Sequence, residues 1–302
     1  NKGDYGAATF WQKTRILLAG VAFNWLTAAV LLTVLAITGL PKVLPNQFYI
    51  ASDAQIIRQT VQISGVVKGL PAEKAGLKQG DEILRFANQP LTSAASLTTL
   101  AKANSGKAVE VIYSRKNVEH STKVTLRSEN KDAKGYFGAS SQQQELIKTS
   151  WSAPIVGVAA TVQMSWATLQ GLGDVAWNGV SGLVMKFSTN QADRDKANRD
   201  LAMVGDSVAG PVGIFGTIFP AAGRAGPTHV VLLAAIISLT LAIMNVLPIP
   251  ALDGGRWFVT AVYKLLKKPL SKEVEEKIHG TGFMVLMAII VLITISDIGK
   301  LG

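Results

Sequence analysis

The sequence predicts a polytopic α-helical membrane protein with an α+β domain inserted between its spans. Of the 302 residues, 48% are hydrophobic and only 17% are charged. In typical soluble domains about a quarter of the residues are charged. The apolar residues are gathered in three runs, at 16–40, 229–252 and 281–296, in which a histidine at position 229 is the only basic side chain. About 20 apolar residues cross the hydrocarbon core of a bilayer. The first two runs are long enough, and polar residues beside the third extend it.

Lysines and arginines at the ends of these runs predict the orientation, because cytoplasmic loops of membrane proteins carry an excess of both. The predicted order is a cytoplasmic N-terminal segment at 1–15, transmembrane helices at 16–40, 228–253 and 280–298, and a cytoplasmic basic loop at 254–279. This order places the inserted domain on the extracytoplasmic side of the bilayer. The net charge of +10 accompanies no nucleic-acid motif, so we expect an anionic lipid surface and no nucleic acid as partner. The chain has no cysteine, which excludes disulfides.

Residues 151–187 have no comparably simple interpretation. At helical spacing, Val162 and Trp166 fall on one face, while Gln163 and Gln170 fall on another. This pattern favours an amphipathic or re-entrant membrane element, and a true span is the alternative. The following residues, 188–227, read as a charged linker with a Gly-Pro segment.

The inserted domain covers residues 50–140. Alternating apolar residues predict strands at 109–113 and 122–126, and residues 92–103 read as a short helix. Within it, Pro71 opens a short helix that ends at Gly76, and Gly80-Asp81 turns into a further strand. The run 67–84 resembles the signature of bacterial PDZ domains, although Gln89 stands where that pattern usually ends in Gly.

The PDZ resemblance implies that an extended peptide adds as a strand to a sheet edge. We expect this groove beside the helix at 92–103 and along one strand, with the peptide-binding residues Ile63, Ser64, Gly65 and Val66. The alternative is a domain that limits access to the membrane part and binds no specific peptide.

The segment 245–255 ends the second long apolar run. Pro248 and Pro250 remove backbone donors and break a membrane helix, which is tolerated where the freed groups are buried or face a cavity. Asp253 follows, and a carboxylate within a membrane is a functional candidate. The alternative is a turn at the membrane surface.

This run resembles the N-x-x-P-x-P-x-L-D-G motif of site-2 proteases, of the regulator-of-sigma-E protease type. The resemblance implies that Asp253 is a zinc ligand and that Asn245, Pro248 and Pro250 shape the catalytic site on its substrate side. Two further segments resemble family motifs, at 19–24 (with Val21 in place of the usual Pro) and at 209–214. The family implies a bacterial inner-membrane protease with Zn2+ that cuts single-span membrane proteins such as an anti-sigma factor.

One family motif has no counterpart in the chain. Site-2 proteases carry H-E-x-x-H, in which two histidines bind zinc and the glutamate is the general base. The histidines here are His120, His229 and His279, none of them in that motif, and each is most simply a polar interface residue. We therefore expect the chain to be a fragment that is inactive alone, with the missing helix upstream of Asn1. The alternative function is a non-catalytic, membrane-anchored PDZ scaffold.

Overall fold

The computed structural model describes residues 9–301, which divide into two compact units. The membrane unit consists of residues 9–54 and 148–301, and the sheet unit consists of Gln55–Ile147. Residues 1–8, half of the expected N-terminal segment, lie outside the described residues.

The helices and strands are numbered in chain order. The helices are α1 (Phe10–Thr38), α2 (Pro71–Lys74), α3 (Ala94–Ala103), α4 (Ala153–Met185), α5 (Gln191–Ser207), α6 (Pro211–Gly213), α7 (Phe219–Ala225), α8 (Pro227–Val246), α9 (Asp253–Leu265) and α10 (Lys272–Leu301). A π-helical turn (Ile214–Ile218) joins α6 to α7. The strands are β1 (Leu40–Pro41), β2 (Gln55–Arg58), β3 (Val61–Val66), β4 (Glu82–Phe86), β5 (Gln89–Pro90), β6 (Ala108–Arg115), β7 (Val118–Thr125), β8 (Ala139–Gln142) and β9 (Glu145–Lys148).

Three helices of the membrane unit are long and apolar enough to cross a bilayer. Among the described residues these are α1, α8 and Lys272–Gly299 of α10. Helix α1 starts at Phe10, earlier than the run of apolar residues, because Thr9 caps it. The hydroxyl of Thr9 accepts from the N–H of Gln12, and the side chain of Gln12 accepts from the N–H of Thr9. The fold class predicted from the sequence is confirmed by these helices together with the separate sheet unit.

The core of the membrane unit lies between α1, α4 and α8. Leu32 of α1, Val156 of α4 and Leu239 of α8 are at most 2% exposed and belong to one apolar cluster. Helices α1 and α4 approach closely because Gly157 has no side chain. A Cβ at this position would lie 2.7 Å from the Cα of Thr33.

Most of 151–187 forms one unbroken helix, α4 (Ala153–Met185), of 33 residues and roughly 50 Å. The re-entrant interpretation is therefore wrong, because a re-entrant element needs a turn. The glycines in the second half of α4 do not interrupt the helix. One of them, Gly182, allows α5 to pack closely against α4. A Cβ on Gly182 would lie 2.9 Å from the Cγ of Leu201 in α5.

The expected linker at 188–227 is also wrong, since most of it is helical. Asn190 caps α5 by accepting a hydrogen bond from the N–H of Ala192 at 3.0 Å. Asp193 lies in the first turn, where its negative charge interacts favourably with the helix dipole. Ala197 is fully buried within this polar sequence. Helix α5 has only a few apolar residues on its buried face. Its sequence is therefore as polar as that of a solvent-exposed linker.

The expected basic loop at 254–279 is likewise mostly helix. Helix α9 occupies its first half, and α10 begins at Lys272, well before position 280. The predicted span at 228–253 ends at Val246 in the structure, and Asp253 is the first residue of α9. The two prolines separate α8 from α9, so the helix break expected at this motif is present.

The sheet unit is an antiparallel sheet covered by α2 and α3. The strand order is β7-β6-β4-β3-β8, with β5 paired to β4, and β2 pairs with β9. Phe86 and Val111 are fully buried in its core. The strands and the helix predicted from the sequence correspond to β3, β4, β6, β7 and α3, with bounds that exceed β7 by one residue and α3 by two.

The expected position of the peptide groove needs correction. Strand β3, which contains Ile63, Ser64, Gly65 and Val66, pairs with β4 on one side and with β8 on the other. Pairing with β8 extends from Gln62 to Val66, whereas pairing with β4 covers Val61 and Gln62, so along residues 63–66 the edge that faces β8 is not free for an added peptide. The strand at the end of this sheet order is β8.

Candidate functional site

The helix break between α8 and α9 is the centre of the candidate site. Asn245 is half-buried in the last turn of α8, and Leu247 is extended (φ −65°, ψ 147°) because proline follows it. Pro248 and Pro250 have no N–H, and the N–H of Ile249 is held by the carbonyl of Leu247 at 2.7 Å. The break is thus an ordered loop.

Gly254 and Gly255 allow α9 to pack against this loop. A Cβ on Gly254 would lie 2.5 Å from the carbonyl carbon of Val246, and one on Gly255 would lie 2.6 Å from that of Ile249. Both glycines are fully enclosed by the structure. The Asp-Gly-Gly sequence therefore combines a carboxylate with the two residues that bring α9 onto the backbone of the loop.

Asp253 occupies the N-terminus of α9 and faces α1. Its side chain is half-buried, and its Oδ2 would lie 3.9 Å from a Cβ added to Gly20. Within the described residues, no side chain or N–H donates a hydrogen bond to this carboxylate, and no cation pairs with it. A helix N-terminus favours negative charge, and the carboxylate is available to a further partner.

Hydrogen bonds on both sides of Gly20 hold α1 against the site. The carbonyl of Asn24 accepts from the hydroxyl of Ser238 at 2.9 Å, which joins α1 to α8. The hydroxyl of Thr14 accepts from the indole N–H of Trp257 at 3.1 Å, which joins α1 to α9. The segment at 19–24 therefore lies beside Asp253.

The Gly-Pro segment contacts α10 through a buried carboxylate. Oδ2 of Asp297, whose residue is 4% exposed, accepts from the N–H of Gly210 at 2.9 Å and from that of Gly213 at 2.8 Å. The second segment with a family resemblance, at 209–214, is thus tied to the last turns of α10. Sequence reasoning did not identify Asp297, because a single charge after the apolar run 281–296 gives no sign of its contact with a distant segment.

The three histidines occupy different environments. His120 in β7 stacks on Tyr113, with ring centroids 5.3 Å apart. His229 lies in the first turn of α8. His279 in α10 is 6% exposed, and its Nδ1 accepts a hydrogen bond from the N–H of Ala251 at 3.3 Å.

A zinc site of the family type needs three protein ligands. Residues 9–301 contain no group of three His, Cys, Asp or Glu side chains placed to hold a metal ion. Asp253, half-buried and without a partner among the described residues, fits the part of one ligand. The described residues alone do not fit a complete zinc site.

An apolar cavity of about 560 Å³ lies next to the same loop. Its walls are Ile249 and Pro250 on one side and α10 on the other, and Lys277 is its charged wall residue. A cavity of this size and character suits apolar side chains.

In the sheet unit, a second cavity of about 270 Å³ lies between α3 and β8. Leu97, Thr98 and Lys102 of α3 form one wall, and the turn before β8 forms the other. Gly138 in that turn has φ +75°, and a Cβ there would collide with the side chain of Leu70. The signal for this turn in the sequence was Gly-Tyr-Phe-Gly, at 135–138, which lies outside the run that resembles the PDZ signature.

A buried carboxylate forms an ion pair within the sheet unit. Asp81, 1% exposed, receives hydrogen bonds from Nε and Nη2 of Arg115, both at 2.7 Å. The same Nη2 also donates to the carbonyl of Gly76 at 2.8 Å. The hydrogen bonds with Asp81 raise the pKa of Arg115 above its ordinary value.

These observations define an integral membrane protein with a PDZ-like domain and an aspartate at a helix break. The sequence model of peptidase family M50 matches residues 2–289, and the chain belongs to that family, the site-2 proteases.

Curated relatives agree with this assignment. The regulator of sigma-W protease RasP of Bacillus subtilis (strain 168) is 28% identical over 302 residues, which cover 99% of this chain and 61% of that protein. The probable protease eep of Enterococcus faecalis is 30% identical over 244 residues, or 80% of this chain and 51% of that protein. The chain thus spans about three fifths of the length of the curated RasP relatives that it matches.

A solved structure is similar to part of the chain. The crystal structure of the PDZ domain of an SdrC-like protein from Listeria monocytogenes is similar at 18% identity and a TM-score of 0.25. The similarity covers 27% of this chain and 86% of that chain.

Proposed function

We propose that this chain is part of an intramembrane zinc metalloprotease that cuts single-span membrane proteins, such as an anti-sigma factor, in the bacterial inner membrane. In this proposal, Asp253 is one zinc ligand and the PDZ-like domain is extracytoplasmic. Bound zinc would supply a Lewis acid for peptide hydrolysis. Its remaining ligands and the general base would come from outside the described residues.

The observation that carries the proposal is the position of Asp253. A carboxylate between membrane-spanning helices is costly unless it has a partner. Here its place at the start of α9 is set by the packing of Gly254 and Gly255 against the loop, with Gly20 nearby, yet no described residue pairs with it. An ordered and unpartnered carboxylate is expected of a metal ligand whose metal and fellow ligands lie outside these residues.

The surrounding loop supports a substrate of apolar sequence. Pro248 and Pro250 leave backbone carbonyls without the helical N–H partners that they would otherwise have. The cavity of about 560 Å³ beside Ile249 and Pro250 is lined almost entirely by apolar groups. A transmembrane segment unwound at this loop would find both hydrogen-bonding backbone and an apolar surface.

The test is cleavage of a single-span reporter protein by the full-length protein in membranes. We expect Asp253→Asn to reduce cleavage at least a hundredfold, with unchanged protein level, because an amide is a poor zinc ligand. The control is Asp174→Asn, which changes an exposed carboxylate in α4. Cleavage at the wild-type rate by Asp253→Asn would refute the role of this residue.

We further propose that the sheet unit binds an extended peptide end at the groove between β8 and α3. Strand β8 ends the sheet order, so one of its edges is free for strand addition. Lys102 at the cavity supplies a positive charge, which suits a peptide carboxylate. This groove also favours the second candidate function, a membrane-anchored PDZ scaffold that does not cut its ligand.

Two neighbouring threonines provide the test of this groove. Thr98 and Thr99 are both exposed on α3, but only Thr98 lines the cavity. Thr98→Trp should fill the groove and weaken binding of peptides from a random C-terminal library at least tenfold, whereas Thr99→Trp should not. Equal effects of both changes would place peptide binding elsewhere. Peptide binding that persists in a full-length protein without any proteolysis would favour the scaffold.

A further inference from the structure

We infer that His279 is a positioning residue, which fixes the backbone of the loop that carries Asp253. The inference rests on the proposed function, because it gives His279 a part in the same site. The imidazole belongs to α10, is 6% exposed, and accepts at Nδ1 from the N–H of Ala251. It acts through Ala251, two residues before Asp253, and not on the substrate.

Ala251 needs an external restraint. Its φ is +86°, a region that residues with a Cβ rarely adopt and that persists only where the surroundings hold it. It follows Pro250 and precedes the first turn of α9, so no helix accepts its N–H. The acceptor is His279, at 3.3 Å. Without it, a backbone donor in the membrane unit would have no described partner.

Packing brings the imidazole to this N–H. Gly282 lies three residues after His279, on the same face of α10. A Cβ at Gly282 would be 2.8 Å from the carbonyl carbon of Pro250. Helix α10 therefore rests directly on the backbone at Pro250 and presents His279 to the next residue of the loop.

The direction of the hydrogen bond fixes the state of the ring. Since Nδ1 accepts, the imidazole is neutral and carries its proton on Nε2. Nε2 is enclosed and has no hydrogen-bond partner in the described part of the chain. The contact of His279 with the loop thus depends on Nδ1 alone, and asparagine, whose Oδ1 occupies nearly the same position, can replace it.

The contact between His279 and Ala251 therefore fixes the position of the Asp253 carboxylate. A return of Ala251 to a negative φ would rotate the following residues and carry the Asp253 carboxylate away from Gly20. Functional sites require their groups within about 0.5 Å of the productive position. We expect loss of the His279 contact to lower the rate of the chemical step more than the binding of substrate.

The experiment uses the full-length protein with His279→Ala, His279→Asn and, as control, Met284→Ala on the exposed side of α10. We expect His279→Ala to lower kcat for a single-span substrate about tenfold or more with KM within threefold of wild type. We expect His279→Asn to recover kcat to within about threefold, and Met284→Ala to match wild type. Wild-type kcat in His279→Ala, or no recovery in His279→Asn, would overturn the inference.

A second readout separates this inference from the proposed function. These 302 residues contain no cysteine, so Leu252→Cys introduces their single thiol next to Asp253. Its labelling by a maleimide should be at least fivefold faster with His279→Ala than with His279 or His279→Asn, whether or not the protein cleaves anything. Equal labelling rates would show that His279 does not order the loop. A protein that shows this change in labelling but neither binds zinc nor cleaves would refute the proposed function alone.

Discussion

The carboxylate of Asp297 accepts a hydrogen bond from the N–H of Gly210 at 2.9 Å, and so joins the last turns of α10 to the Gly-Pro segment before α8. The same oxygen accepts from Gly213 at 2.8 Å. It therefore satisfies N–H groups at the start of the helical stretch that begins with Pro211, where the helix dipole also favours a negative charge. The close approach requires glycine, since a Cβ on Gly210 would lie 2.9 Å from this oxygen.

Removal of this carboxylate should destabilise the membrane unit. Asp297→Ala leaves two enclosed N–H groups without an acceptor, which we expect to lower the free energy of unfolding by about 3 kcal/mol. Asp297→Asn keeps one acceptor and should cost about 1 kcal/mol. Unfolding of the purified protein in detergent, compared with Asp174→Ala, measures both changes. An Asp297→Ala variant as stable as the control would show that this contact contributes nothing.

Two glycines of α10 form a matched pair for the contact with the loop. Gly282→Ala should displace α10 from Pro250, because the new Cβ would lie 2.8 Å from a backbone carbon that cannot move aside. Gly280→Ala meets nothing within 4 Å and should stabilise the helix by about 1 kcal/mol. We expect opposite shifts in unfolding temperature from these two changes. Shifts of the same sign and size would mean that α10 does not rest on Pro250.

The buried ion pair of the sheet unit gives a third prediction. Arg115→Ala would leave the carboxylate of Asp81, 1% exposed, without its cation, at an expected cost of about 3 kcal/mol. Arg58→Ala removes an exposed partner of Glu145 and should cost less than about 1 kcal/mol. Urea unfolding, followed by a probe in the sheet unit, compares the two. Similar losses would contradict a structural role for the buried pair.

Asp53 predicts a pH dependence. Its carboxylate accepts from the hydroxyl and N–H of Ser150 and from those of Ser152, the residue that precedes α4, and these hydrogen bonds lower the pKa of Asp53 well below its ordinary value. Because the folded pKa is lowered, the contribution to stability is present above pH about 4 and is lost as the pH falls further. Asp53→Asn should therefore unfold at a lower temperature than wild type at pH 7.

The difference between wild type and Asp53→Asn should shrink below pH about 4, where the wild-type carboxylate also becomes protonated. Thermal unfolding across pH 3 to 7 provides the measurement, and Asp174→Asn is the control without such partners. A difference that stays constant across this range would exclude an ionised Asp53 as the source of the stability.

Local patterns in the sequence predicted the elements whose stability is local. Val109, Val111 and Tyr113 alternate with polar residues and lie buried in β6, and the long apolar runs form α1 and α8. Asp253 could be singled out because a charge after two prolines is expensive in a membrane. The structure adds that Gly20 lies beside it, in the segment at 19–24.

Features that depend on distant partners were not predictable in this way. The sequence of helix α5 indicates a linker, because few of its residues are apolar. Its burial depends on Ala197 and on the packing of Leu201 against Gly182 of α4, which the local sequence does not reveal. Strand β8 closes the edge of β3 from more than 70 residues away, and no alternation within β3 reveals this neighbour. His279 and Asp297 act on backbone N–H groups, which have no signature in the sequence.

The zinc content of the purified full-length protein tests the central claim, that Asp253 is a metal ligand, most directly. We expect about one zinc per chain in the wild type and in Asp174→Ala, and a content at least tenfold lower in Asp253→Ala after dialysis. An Asp253→Ala protein that is folded and retains the wild-type zinc content would contradict the account.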